Sequence, residues 1–173
     1  VGRSDARGIG SEEGGPVRLV QRFEIGPERG APGPGDDRIV AVEDVKKPTV
    51  CALNGLAFGG GIETAMACEL RIAQKGLKVL AGQPEANLGI IPGAGGTQRL
   101  PRWIGVARAA EMLRSTRPIS SAKALELGLV SEEVDGDLVG RAVQIAKDLA
   151  SGVRPRQRLD QQPMKDVPAA LPA

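Results

Sequence analysis

Two acidic residues, Glu63 and Glu85, and a run of three glycines, Gly59-Gly60-Gly61, are the positions whose types and spacing bear on chemistry. Two carboxylates that meet at one water can divide acid–base labour. One takes a proton from the water while the other delivers a proton to carbon, provided their environments differ. Glu63 and Glu85 stand 22 positions apart, and that spacing alone does not bring them together. Each has an ordinary reading as well. Glu63 falls in the first turn of a predicted helix, where the dipole favours an acid in any case. Glu85 follows Pro84 after a predicted strand and reads equally as a loop carboxylate. Glycines at a helix entrance let the backbone approach a ligand, and the first N–H groups of the helix lack intrahelical partners. Such donors stabilise an oxyanion. The same three residues also make a plain tight turn.

Composition narrows the chemistry further. The chain has 173 residues and no histidine, which removes Ser-His-Asp and Cys-His nucleophiles and histidine-based metal sites. Cys51 and Cys68 lie in apolar surroundings without metal spacing and read as small buried thiols rather than a disulfide. The loop Pro92-Gly93-Ala94-Gly95-Gly96-Thr97 fits neither nucleotide-binding glycine motif, because Gln98 stands where a last glycine would be. A net charge of +2 and an aromatic content of 2% give nucleic acid little to bind. Arg154, Arg156 and Arg158, interrupted by Pro155 and Gln157, read as a solvated tail. No apolar run marks residues 1–15 as a leader, and no stretch has the length of a membrane span. A cytoplasmic or organelle-matrix setting (peroxisome or mitochondrion in a eukaryote) is the expectation.

The elements that must position these residues follow from periodicity. Residues 17–23 alternate and read as a strand or a helix start; the rest of 1–37 is Gly/Pro-rich loop. Residues 39–45 end a helix that Pro48 stops. Thr49–Leu53 is a short apolar run and reads as a buried strand. Residues 62–73 carry apolar side chains at helical spacing, and residues 78–81 suit a second strand. Two short helices, 97–104 and 106–113, split at Gly105. A helix capped by Ser120 or Ser121 runs to Leu127 and ends at Gly128. Residues 129–134 are strand-like, and 137–150 form an amphipathic helix with Asp137 as N-cap. Strands alternating with helices predict an α/β architecture.

In order along the chain, these motifs resemble the core signature of the crotonase (enoyl-CoA hydratase/isomerase) superfamily. The match is carried by Lys47-Pro48-Thr49-Val50, Asn54-Gly55, Ala57-Phe58-Gly59-Gly60-Gly61 and Glu63, then Gly82-Gln83-Pro84-Glu85. Leu88-Gly89 and the run Ile91-Pro92 through Arg99-Leu100 follow, and Ile119-Ser120 to Val130 completes the order. The resemblance implies a spiral of ββα turns that binds an acyl-CoA thioester, with no metal or redox cofactor. It gives Gly60 the place of one oxyanion donor, and Glu63 and Glu85 the places of the two hydratase glutamates. By the same resemblance Glu63 activates water for attack at Cβ and Glu85 exchanges the proton at Cα, while Gly93, with Gly59 and Gly61, positions water and substrate.

The ends depart from the pattern. Residues 2–8 keep a degenerate trace of the family's other oxyanion loop, on which Ser4 takes the donor place. The Pro-rich tail is similar to the segment that follows the hydratase part of bifunctional hydratase–dehydrogenases. The expected division is an irregular segment 1–45, a crotonase-like core 46–151, and a tail 152–173, the fold being incomplete at its N-terminus. The expected activity is reversible hydration of a 2-enoyl-CoA in fatty-acid oxidation. Its rivals are an enoyl-CoA isomerase and a catalytically silent remnant acting as a subunit. The expected partners are the acyl-CoA substrate and either further copies of the chain or a larger multifunctional chain.

Overall fold

Pro48 removes a backbone donor and disfavours helix before it, so the chain leaves one helix and enters a strand. The computed structural model describes residues 18–20 and 37–167. Strand β1 (Arg18–Val20) is followed by helix α1 (Asp37–Asp44) and by β2 (Thr49–Leu53), all five of whose residues are buried. A two-residue strand β3 (Ala57–Phe58) leads into helix α2 (Gly60–Ala67), then β4 (Leu70–Gln74) and a short β5 (Ala81–Gly82). A 3-10 turn spans Glu85–Leu88, followed by α3 (Gly96–Ile104) and α4 (Val106–Ser115). Helix α5 (Ser121–Leu127), β6 (Glu132–Val134), α6 (Leu138–Ser151) and a last 3-10 turn, Leu159–Gln161, complete the order. No helix among the described residues is long and apolar enough to cross a membrane.

Strands β1, β2, β4 and β6 form one parallel sheet in the order β1-β2-β4-β6. Side chains alternate across a strand, and the sheet separates two cores accordingly. Val50 and Ala52 of β2, with Leu70 and Ile72 of β4, pack against Leu138, Ala142, Ile145, Ala146 and Leu149 of α6. Cys51 and Leu53 face the other way, with Ala73, toward Ile62, Ala65 and Met66 of α2 and Leu100 and Trp103 of α3. Each fully buried aliphatic side chain in these layers stabilises the fold by about 1.5–3 kcal/mol. Both cysteines are buried and free.

One expected element is corrected. The helix expected over residues 62–73 ends at Ala67, because Cys68 turns extended (ψ 150°) and its N–H closes on the Ala65 carbonyl. Thr49 Oγ1 then accepts from the Glu69 N–H at 2.9 Å, and residues 70–74 become the strand between β2 and β6. The apolar spacing suits a helix and a doubly buried strand alike. The two cores on either side of β4 decide for the strand.

Arg71 explains why that strand was hidden. It is a charged residue, 2% exposed, in the middle of a buried sheet. Its Nε donates to the Leu129 carbonyl (2.7 Å) and its Nη1 to the Cys68 carbonyl (2.8 Å). Its guanidinium lies 3.9 Å from the Trp103 ring centre. Burial lowers its pKa to about 10, which still leaves it charged at neutral pH.

The caps agree with the sequence. Ser120 accepts from the Lys123 N–H, Asp137 from the Gly140 N–H, and Gly128 closes α5 in the left-handed conformation. The expected solvated tail differs. Arg156 Nε donates to both oxygens of Glu69 (2.6 and 2.8 Å), and Gln157 N–H adds a third bond at 2.8 Å. Arg158 reaches the Val45 and Glu43 carbonyls. The buried Glu69 carboxylate supplies the docking point that local composition conceals.

Candidate active site

Beside the main sheet, β3 and β5 pair in parallel, with Phe58 opposite Gly82. The Gly59 N–H continues the ladder to the Gly82 carbonyl at 3.0 Å. This pairing sets the entrance of α2, which follows β3, beside the segment Gln83-Pro84-Glu85, which follows β5. Gly59 takes φ +53°, a conformation that favours glycine. A Cβ there would stand 3.0 Å from Glu85 Oε1, so the Glu85 carboxylate lies against the start of the helix. Gly60 is the first residue of α2, and a first helical N–H has no intrahelical acceptor. Gly61 follows, and the Glu63 N–H closes the first turn on the Gly59 carbonyl at 3.1 Å.

Glu63 points from that turn into the glycine loop before α3. Its Oε1 accepts from Gly96 N–H (2.6 Å) and from Ala94 N–H (3.0 Å). Gly96 opens α3, so the positive end of that helix dipole faces the carboxylate. A Cβ on Gly96 would stand 2.8 Å from Glu63 Oε1 and 2.7 Å from the Gln83 side-chain amide. The absence of a side chain there is what admits both groups. Gly95, at φ +93°, lets the loop turn into the helix.

Both carboxylates are buried, Glu63 at 2% and Glu85 at 8% exposure. Burial is the main cause that raises the pKa of Glu63, and the nearby Glu85 charge adds to it. The Gly96 and Ala94 N–H groups and the Arg99 charge act in the opposite direction. Burial likewise raises Glu85, opposed by its own backbone N–H. Two carboxyl groups with raised pKa values and different hydrogen-bond partners are suited to divide the work of base and acid.

The structure therefore brings together Gly59, Gly60, Gly61, Glu63 and Glu85. Gly93 stands in the same loop, with open space where a Cβ would be, while the donors to Glu63 come from Ala94 and Gly96. Ser4 lies outside the described residues. Sequence reasoning missed three contributors. Gln83, fully buried, has its side-chain amide against Glu85; with its nitrogen toward the carboxylate it donates to both oxygens at 2.9 and 3.0 Å. The other two are Glu43 and Arg99, which form a chain from α1 through the guanidinium to the Ala94 carbonyl. The place of Gln83 two residues before Glu85, in Gly82-Gln83-Pro84-Glu85, was the available signal for the first. Nothing local marks Glu43, which comes from 56 positions away.

The enoyl-CoA hydratase/isomerase family profile matches residues 22–171. The chain belongs to this family. A probable enoyl-CoA hydratase of Bacillus subtilis (strain 168) is 46% identical over 118 residues, covering 67% of this chain and 45% of the relative. A peroxisomal fatty acid beta-oxidation multifunctional protein of Arabidopsis thaliana is 47% identical over 115 residues, 66% of this chain and 16% of its own length. Among solved structures, enoyl-CoA hydratase from Bacillus anthracis aligns with a TM-score of 0.62 at 45% identity, covering 66% of this chain and 44% of that one. The mixed helix–sheet layout is that of the crotonase fold, in part: the chain spans under half the length of these two hydratases.

Proposed function

We propose that this chain carries the acid–base core of an enoyl-CoA hydratase, adding water reversibly to the double bond of a 2-enoyl-CoA thioester. The observation that supports it most is the meeting of Glu63 and Glu85 at the entrance of α2, each buried and each held by different neutral donors. In the forward direction Glu63 accepts a proton as the water oxygen bonds to Cβ. The π electrons move to the thioester, whose oxygen takes the developing charge. The Gly60 N–H, without an intrahelical partner at the start of α2, is the donor assigned to that oxygen in this scheme, and loss of one such donor costs about 2.7–4 kcal/mol of barrier. Protonated Glu85 then delivers its proton to Cα. The proton that Glu63 has taken returns to Glu85 to reset the pair, so water is the only co-reactant and no oxidation state changes. The CoA portion belongs to the substrate. Residues 46–151 contain Gly60, Glu63 and Glu85, and Ser4 is the proposed second oxyanion donor.

A second reading, a family member without turnover of its own, draws on one observation. Leu88, Ile90 and Ile91, beside Glu85, are 72%, 56% and 78% exposed, so the described residues leave this side of the site uncovered. The similarity to a peroxisomal multifunctional protein supports a role in fatty-acid β-oxidation as part of a larger or assembled protein, in an organelle matrix if the cell is eukaryotic.

The test is hydration of crotonyl-CoA by the purified chain, followed by loss of enoyl absorbance, beside Glu63→Gln and Glu85→Gln. Turnover that either substitution removes supports the hydratase. A folded wild-type chain without turnover rejects it in favour of the second reading. Turnover of a 3-enoyl-CoA that needs Glu85 alone redirects the assignment to isomerase chemistry.

A further inference from the structure

A carboxylate that works as a base is best served by one oxygen fixed and the other free, and the loop that fixes Glu63 is rich in glycine. Its residues 92–96 are Pro-Gly-Ala-Gly-Gly, and three of the five are glycine. What holds it is Arg99, one turn into α3 and 6% exposed. Arg99 Nη1 donates to the Ala94 carbonyl, which belongs to the residue whose N–H binds Glu63. The same guanidinium is gripped from behind by Glu43 of α1, through Nη2 (2.6 Å) and Nε (3.2 Å) to one carboxylate oxygen. The Glu43 side chain is 23% exposed and that of Arg99 7%, so the pair is shielded from screening by salt. Gly95, without a Cβ, leaves the space that the guanidinium occupies.

We propose that Arg99 is a positioning residue for Glu63, and that Glu43 is its anchor. Fixed by Glu43, the guanidinium holds the Ala94 carbonyl, and this keeps the N–H groups of Ala94 and Gly96 together on Oε1. Oε2 is then the oxygen presented to water. The proposal rests on the hydratase reading for its kinetic consequence but not for its geometry. A lysine would keep the charge and lose the planar fork that engages two partners at once.

Three variants of the full chain test it: Arg99→Gln, Arg99→Lys and Glu43→Gln. A base moved by about 1 Å costs up to about 10²-fold in rate. Arg99→Gln is expected to lower kcat by that order with KM nearly unchanged, Arg99→Lys to recover part of the loss, and Glu43→Gln to lower kcat in the same direction by less. The groups facing Glu63 are Glu85 and Gln83, the Ala94 and Gly96 peptides, and Arg99. Removing the Arg99 charge and its hold on Ala94 takes away two influences that lower the Glu63 pKa, so the acidic limb of the kcat/KM profile moves to higher pH. In Glu43→Gln, loss of a nearby negative charge alone would move that limb down; an upward move therefore reports the loosened anchor.

Unchanged kcat and limb in folded Arg99→Gln and Glu43→Gln, or a change in KM only, overturns the proposal. If Arg99→Gln fails to fold, Arg99→Lys and Glu43→Gln decide between the same outcomes by the same criteria. A second readout needs no turnover: NMR titration of carboxyl-13C-labelled glutamates, with Glu63 identified by its loss in Glu63→Gln. An upward shift of Glu63 in the Arg99 variants of a chain without hydratase activity would reject the functional reading and keep the positioning. Active wild type with an unshifted Glu63 in those variants would do the reverse.

Discussion

The two ends of helix α2 each hold a buried glutamate, and they are held by opposite means. Glu63, at the N-terminal end, has peptide N–H groups as its hydrogen-bond partners, on a single oxygen. Glu69, just past the C-terminal end, has both oxygens engaged by the Arg156 guanidinium and one also by the Gln157 N–H. Neutral dipoles steady a carboxylate without supplying a full counter-charge, so burial still raises the pKa of Glu63. A guanidinium in direct contact supplies a full counter-charge and fixes its partner's orientation. The first arrangement leaves a group that can exchange protons. The second leaves a clamp that ties the segment after α6 to the start of β4.

The largest break in that contrast is removal of the exchangeable proton. Glu63→Gln keeps an oxygen for the Ala94 and Gly96 N–H groups but cannot act as a base, and kcat for crotonyl-CoA hydration should fall about 10²–10⁴-fold. Next comes the loop. Gly96→Ala drives a Cβ to within 3.0 Å of Pro92 Cβ and closer to Glu63 and Gln83. Overpacking of this kind costs about 1–3 kcal/mol, and thermal unfolding should show it together with a fall in kcat of up to about 10²-fold.

At the other end of α2 the expected change is in stability only. Arg156→Ala leaves Glu69, whose side chain is 4% exposed, with one peptide donor. Urea unfolding should show a loss of about 1–3 kcal/mol, and kcat per folded molecule should stay at the wild-type value. A comparable loss of kcat there would erase the distinction between the two ends.

The smallest effect concerns pH. The Glu63 and Glu85 pKa values are raised above the ordinary 4.5. Their contribution to stability is therefore fully present below pH 4.5 and is lost as pH rises through the folded-state values. Glu63→Gln should accordingly be more stable than wild type at neutral pH, by an amount of the order of 1 kcal/mol, with the gap closing as the pH falls toward 4.5. An excess that grows on acidification would reverse the sign and contradict the burial argument.

Local chemistry was legible wherever a few adjacent residues decide the outcome. Ser120, Asp137 and Gly128 cap and end their helices as their types require, Pro48 separates α1 from β2, and the run of Gly59-Gly60-Gly61 marks the entrance of α2. The order of motifs from Lys47 to Val130 was enough to identify the family, because each keeps its own residue types at nearly fixed spacing. Glu63 and Glu85 could be named from sequence on that basis, as could Gly60. Their meeting could not be read from it. That depends on β3 pairing in parallel with β5, a contact between residues 24 positions apart that no local period encodes.

Tertiary structure also decided the character of residues whose type misleads. Arg71 is charged yet lies inside the sheet, since the Leu129 and Cys68 carbonyls and the Trp103 ring take the place of water. Residues 70–74 fit a helical spacing but serve two cores at once, which only a strand with alternating side chains can do. Arg156 reads as solvated tail until Glu69 is seen buried opposite it. In each case composition and periodicity state what a segment can do alone, and the partner that selects among those states comes from a distant part of the chain. The candidate residue types are therefore written in the sequence, whereas the environments that hold one glutamate by peptide N–H groups and another by a guanidinium arise only when distant segments close around them.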